Sequence, residues 1–329
     1  MTNIKSINKP RVSIVCVSFN HSEFIEKTLN GFIIQKTTFP FEIIIGDDFS
    51  TDGTRKIINE FYSKHIDIIK PIFHNHNIGG INNLITCLNS TSGDYIAYCE
   101  GDDYWIDDNK LQKQFDLLES NLDIGLIWTD IDVNDLQENK IINSVFKNKF
   151  LPTFNNFEDI LINKPFFAPL TWFFRSQYSY LFSGYLDYVD GTFPFIMDMS
   201  NISTISFFNE VTGVYSKRME SASNNTNPIK RYKFAKQVFK IQIDYSKKYQ
   251  VSKEAVDHIY YNHYQSLFHY ALIAKDYDFI KNAKFILKNS KNTSTRFMLF
   301  ISNNQILSSI FRFIFNSNKI INFTRYIIK

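Results

Sequence analysis

Three short apolar runs, each closing on polar or acidic residues, set the strongest limit on how this chain can fold. VSIVCVSF (12–19), EIIIGDD (42–48) and DYIAYCEGDD (94–103) are rich in β-branched residues and lack the alternation of a strand with one wet face. Runs of this kind suit strands buried on both faces of a parallel sheet. The first is followed by Phe24, Ile25, Leu29, Phe32 and Ile33 at helical spacing, with Asn20 and Ser22 available as capping groups. The second leads to a turn and a helix with Ile57, Ile58 and Phe61 on one face. A strand is expected over 67–73, a helix through Leu84 and Leu88, a helix after Asp108 through Leu111, Phe115 and Leu118, and a further strand at IGLIWTD (124–130). Strands and helices alternating at this spacing predict an α/β fold with a mostly parallel central sheet. Ligands of such sheets lie beyond the carboxyl ends of the strands, which here carry Phe19, Asp48, Asp102 and Asp103.

The pattern loosens over 135–220, and from Lys230 onward it becomes helix after helix. The expected division is an α/β domain over 1–222 and an α-helical C-terminal region over 223–329, the latter available for membrane-surface or oligomer contacts. A net charge of +3 argues against nucleic acid as a partner, since polyanion binders carry a concentrated basic face. The distribution is uneven: acids gather between Asp47 and Asp135, whereas lysines and arginines dominate the last forty residues. Cys16, Cys87 and Cys99 have neither paired nor zinc-like spacing and read as reduced, buried thiols. With no signal-like N-terminus and no apolar run long enough to span a bilayer, the expected location is cytoplasmic, with peripheral attachment to the membrane left open.

Asp102 and Asp103, preceded by Glu100, make a concentrated anionic site that is costly unless solvated or neutralised. Mg²⁺ or Mn²⁺ held by one or two carboxylates and phosphate oxygens is the usual partner of such a site in nucleotide diphosphate chemistry. An ordinary turn that caps the next helix is the alternative. DDFSTDGT (47–54) places acids, hydroxyls and Gly53 in one tight turn, where Asp48 could accept hydrogen bonds from a base or ribose. Phe19 could stack on the same base, though an aromatic residue there also suits the core.

VSIVCVSFN (12–20), EIIIGDDFSTDGT (42–54), NHNIGG (75–80) and YCEGDDYWIDDNKLQKQ (98–114) together resemble the family 2 glycosyltransferases of the GT-A fold, and NEVTGVYSKRMESAS resembles that family's closing strand and loop. The resemblance implies an inverting, metal-dependent transfer of a hexose from a nucleotide diphosphate sugar, UDP-linked by preference, to a hydroxyl of a growing surface glycan or polyprenol-linked acceptor. It implies that Ser18 and Phe19 line the nucleoside pocket, Asp48 holds the base, and the segment from Asn77 to Asn83 borders the nucleotide. Asp103 would be the principal metal ligand, with Asp102 facing the donor sugar. Asn83 stands where many relatives carry arginine. Relatives also place an aspartate two positions before a proline as the base; here DGTFPF puts Thr192 at that point, so Asp190 is the candidate base, with Asp187 and Asp198 as rivals. Lys217 and Arg218 are candidate diphosphate contacts, a solvated basic loop being the alternative.

The C-terminal stretch FMLFISNNQILSSIFRFIFNSNKIINFTRYIIK joins apolar residues at helical spacing to Arg312, Lys319, Arg325 and Lys329, a composition fitting either core packing or an interfacial helix on anionic lipid. A nucleotide-binding dehydrogenase would need a glycine-rich turn after the first strand, and VSFNHSEF has none. A sugar nucleotidyltransferase would need a phosphate-gripping loop near the N-terminus, also missing. A non-catalytic sugar-nucleotide-binding or scaffold module stays open as the other reading.

Overall fold

The computed structural model describes residues 9–148, 156–218 and 227–316. They fall into two compact units, one of residues up to Phe157 with Pro165–Lys217, the other of Glu158–Lys164 with the chain from Arg218 onward. The boundary anticipated at 222 lies outside the described residues; the break in contacts comes at Lys217.

In the first unit the apolar runs become strands β1 (Val12–Ser18), β2 (Phe41–Asp47), β3 (Ile69–Phe73) and β4 (Tyr95–Glu100). They pair in parallel in the order β3-β2-β1-β4, with Cys16 level with Ile45 on one side and Cys99 on the other. Ile14, Val15, Ile43, Ile44, Ile45, Ile96 and Ala97 have no exposed surface, as their unbroken apolar sequence requires. Helices α1 (Ile25–Ile33), α2 (Thr54–Lys64) and α3 (Gly80–Asn89) form the crossovers, turning Leu29, Phe32, Ile58 and Leu88 inward at 3.6-residue spacing. Neither Asn20 nor Ser22 caps α1. The Asn20 side chain accepts from the Thr51 amide and the Ser22 amide donates to Asp52, so both tie the exit of β1 to the turn after β2.

Beyond β4 the sheet becomes mixed. The two-residue β5 (Tyr104–Trp105), α4 (Lys110–Ser120), β6 (Ile124–Asp135), β7 (Lys140–Ile142), the short α5 (Val145–Asn148) and α6 (Phe157–Asn163), β8 (Phe173–Arg175), α7 (Thr192–Ile202) and β9 (Thr204–Lys217) follow in order. β8 lies antiparallel between β4 and β6, β9 runs parallel to β6 across bulges, and β5 and β7 close antiparallel on β9 and β6. Trp105 is pinned by its indole N–H to the Leu170 carbonyl at 2.7 Å and meets Phe32 edge-on at 4.6 Å.

The second unit is helical: α6, all but its first residue, joins α8 (Pro228–Lys248), α9 (Lys253–Ala274), α10 (Tyr277–Leu287), α11 (Thr293–Ser302) and α12 (Gln305–Asn316). Asn227, Ser252, Asp276 and Asn292 each cap a helix by accepting a backbone N–H, which fixes four helix starts in 66 residues of sequence. The core is Phe268, Ala271, Leu272, Phe279, Ala283, Leu287 and Ile301. Among the described residues no helix is long and apolar enough to cross a membrane.

Candidate active site

The chain reverses after each parallel strand, and those exits meet at one edge of the sheet. After β1 the backbone passes through Asn20 at φ 54°, and after β2 through Phe49 at φ 67°, both in the left-handed region. Asparagine tolerates it; for a phenylalanine it is strained, and strain of this kind tends to collect at functional turns. The turn is held by the Ser50 amide on Asp47 Oδ1 at 3.0 Å and by the Arg55 guanidinium, which binds Asp47 and the His74 carbonyl and lies 5.3 Å from the Phe49 ring. Phe19 and Phe49 both stand about half exposed here, and Phe49 is a second aromatic at this edge that the sequence did not single out.

Asp48 anchors the loop before α3. Its Oδ1 accepts the Ile78 amide at 2.7 Å, its Oδ2 accepts the Gly79 amide at 2.9 Å, and its carbonyl accepts the Asn77 amide group. The carboxylate is buried, so its first task is to shape NHNIGG; free lone pairs remain for a further donor. Asn83 is placed differently from the expectation. It is buried, donating to the Gly46 carbonyl at 2.9 Å and meeting His74 Nε2 at 3.0 Å, because the missing side chain of Gly46 leaves room for its amide inside the fold.

The loop Gly101–Asp103 lies across the end of β1. The Gly101 amide binds the Val17 carbonyl, and a Cβ on Gly101 would come within 3.0 Å of Ser18 and 2.9 Å of His21. Ser18 is therefore covered by this loop and not open to a ligand. Asp103 is buried and accepts the Ser216 amide of β9 at 2.8 Å. Asp102 is partly exposed, with one oxygen 3.9 Å from His21 Nε2.

A cavity of about 360 Å³ opens beside this loop, between Gly79–Asn82, Tyr98 and Glu100 of β4, and the segment Leu186–Thr192. Burial, the negative charge of Asp102 and that of Asp190 raise the Glu100 pKa far above the usual carboxylate range, to about 8, against a hydrogen bond from Tyr98. Its Oε2 has no hydrogen-bond partner among the described residues. Glu100 was only a neighbour of the aspartate pair in sequence; the position before Gly101 at a strand end was the available signal. Of the three candidate bases, Asp190 borders the cavity. Asp187 is exposed and outside the cavity lining, and Asp198 is buried in a hydrogen bond from the Tyr185 hydroxyl at 2.8 Å. Lys217 is held by the buried Asp135 at 2.6 Å, and Arg218 opens the second unit.

Two neighbouring carboxylates, one with an orphaned oxygen, suit a hard cation completed by phosphate oxygens and water; among the described residues no three His, Cys, Asp or Glu side chains form a ready-made cage.

A parallel sheet whose strand ends carry this acidic loop beside a cleft, extended by antiparallel strands, is the GT-A glycosyltransferase fold. The chain belongs to the glycosyl transferase family 2, whose model matches residues 13–181. An uncharacterized protein of Mycobacterium tuberculosis is 45% identical over 108 residues, 33% of this chain and 31% of that one. The UDP-Glc:alpha-D-GlcNAc-diphosphoundecaprenol beta-1,3-glucosyltransferase WfgD of Escherichia coli is 28% identical over 131 residues, 40% of this chain and 49% of that one. The matches thus span a third to a half of these relatives. The structure of S. aureus TarS 1-349 in complex with UDP-GlcNAc superposes with a TM-score of 0.59 at 15% identity, covering 96% of this chain and 92% of that one.

Proposed function

We propose that this glycosyltransferase moves a hexose from a UDP-linked donor, with inversion and with a divalent cation, to a hydroxyl of a growing surface glycan, one carried on a polyprenol diphosphate being the favoured acceptor. The observation that carries the reading is the convergence of Glu100, Asp102 and Asp190 beside a loop whose backbone Asp48 holds in place. The acceptor named for WfgD supports the acceptor class, and the UDP-GlcNAc bound by TarS supports the donor class.

Phe19 and Phe49 offer rings to the base, and Asp48, Asn77 and the amides around Gly79 border the nucleotide. Glu100 and Asp102 would hold Mn²⁺ or Mg²⁺, which neutralises charge on the departing diphosphate. Asp190 takes the proton of the acceptor hydroxyl as its oxygen bonds to the anomeric carbon. The bond from that carbon to the diphosphate oxygen breaks with its electron pair on the leaving group. Asp103, whose carboxylate accepts the Ser216 amide of β9, ties the acidic loop to that strand, which supports giving the cation to Asp102 and Glu100.

The test is release of nucleoside diphosphate from a panel of UDP- and dTDP-hexoses, with Mn²⁺ or EDTA, by wild type and by a Glu100→Gln, Asp102→Ala variant. Turnover that requires both cation and carboxylates supports the proposal; turnover indifferent to both would refute the cation's role. Thr192 at the position where relatives keep an aspartate favours a second reading, a non-catalytic sugar-nucleotide-binding module. Metal-dependent donor binding without any turnover across the panel would establish that one.

A further inference from the structure

Helix α12 is apolar on two adjoining stripes, and the fold uses one of them. Leu307, Ser308 and Phe311 face the helical core, with Phe311 buried among its residues. Ile306, Ile310 and Phe313 recur at the i, i+4, i+7 spacing of a second stripe and are 72%, 50% and 83% exposed. Arg312, Ser309 and Gln305 take the remaining side. The preceding α11, which packs on α12, repeats the device: Met298 and Ile301 point inward while Phe297 and Phe300 are 58% and 63% exposed. Large apolar side chains left in water on two successive helices mark a contact surface.

The charge around this surface selects the partner. Nine lysines and arginines, and no aspartate or glutamate, follow Asp278 to the end of the chain. Of these Lys319, Arg325 and Lys329 lie outside the described residues, while Arg296 is exposed on α11 and Arg312 flanks the second stripe of α12. A second copy of this chain placed on the same face would oppose positive charge with positive charge. Exposed apolar rings bordered by cations instead match the interface of an anionic bilayer, where the rings enter the acyl boundary and the cations meet headgroups.

We propose that α11 and α12 form a peripheral docking face for anionic membrane, with Phe297, Phe300, Ile310 and Phe313 as the inserting residues. This stands independently of the donor and acceptor chosen above, because its test needs no turnover.

The full chain is floated with vesicles of phosphatidylcholine alone or mixed in equal parts with phosphatidylglycerol. Flotation with the anionic vesicles only, weakened by salt, and an affinity about tenfold lower for an Ile310→Ser, Phe313→Ser variant of unchanged circular dichroism, is expected. Phe313→Trp gives a second measurement, a blue-shifted emission on adding anionic vesicles relative to the emission of the buried native tryptophans. No flotation, flotation indifferent to the double serine change, or an unshifted Trp signal would overturn the proposal. So would a lipid-free oligomer that the double variant turns into monomer, since the face would then join protein to protein.

Discussion

Thr192 donates two hydrogen bonds to one oxygen of Asp190, from its backbone amide at 2.8 Å and from its hydroxyl at 2.7 Å. The pair sits at the start of α7 and borders the cavity that Glu100 faces, so a threonine where the family resemblance implies an aspartate holds a carboxylate from two residues earlier.

If Asp190 is the base, Asp190→Asn should lower kcat by about a hundredfold or more while donor affinity stays within about twofold. Thr192→Ala removes one hydrogen bond that orients the carboxylate and should lower kcat by about three- to tenfold. Moving the acid to its usual place, in an Asp190→Asn, Thr192→Asp double variant, should recover part of the loss. Near-normal turnover by Asp190→Asn would exclude the residue from proton transfer.

Asp48 links β2 to the α3 loop through both of its oxygens. Asp48→Ala leaves the Ile78 and Gly79 amides without acceptors and should cost about 2–4 kcal/mol of stability in urea unfolding, since each bond is to a charged group. Donor affinity should fall with it, and hydrogen exchange at those two amides should quicken. An unaltered exchange rate would show that the loop keeps its form without the carboxylate.

The strands were legible because burial on both faces leaves a direct mark, an unbroken β-branched run, and because acids at strand ends are out of place in a core. β8 left no such mark. Phe173–Arg175 is three residues long in a stretch dense with aromatics, and its pairing with β4 and β6 is fixed by partners 46 to 80 positions away, Arg175 reaching Ile124 and Tyr95. The aspartates at 48, 102 and 103 could be seen in sequence, but not which way each turns. Asp103 binds an amide 113 residues later, a contact that its own neighbourhood in the sequence does not announce. Asn83 turns inward for a similar reason: in a segment expected to border a nucleotide, a distant glycine makes space for its amide inside the fold.

That space can be tested. A Cβ on Gly46 would stand 2.1 Å from Asn83 Oδ1 and 2.5 Å from Cys87 Sγ. Gly46→Ala should therefore destabilise the protein by about 1–3 kcal/mol, as overpacking of a closed core does. Adding Asn83→Ala should cost less in the Gly46→Ala background than alone, because removing the amide relieves its share of the clash and leaves only the contact with Cys87. Additive costs in thermal unfolding would mean that Asn83 moves freely out of the way.

Lys110 is buried with its ammonium 4.2 Å from the Trp105 ring, donating to Gln114 at 2.5 Å and to the Thr171 carbonyl at 3.3 Å. Burial lowers its pKa from 10.5 to about 7, partly opposed by Cys99 and by the charge of Asp107. Between those values the unfolded chain binds the proton and the folded one releases it. The stabilising effect is thus complete above about pH 10.5 and is lost as pH falls through 7. The stability of wild type relative to Lys110→Met should climb with pH across that window, by at most about 1.4 kcal/mol per unit. Taking the difference between the two proteins cancels the alkaline titration of the buried tyrosines and cysteines they share. Urea unfolding of both proteins at pH 7, 8 and 9 measures it, and a difference that stays flat would mean that the lysine keeps its proton inside the fold, held by the Trp105 ring and Gln114.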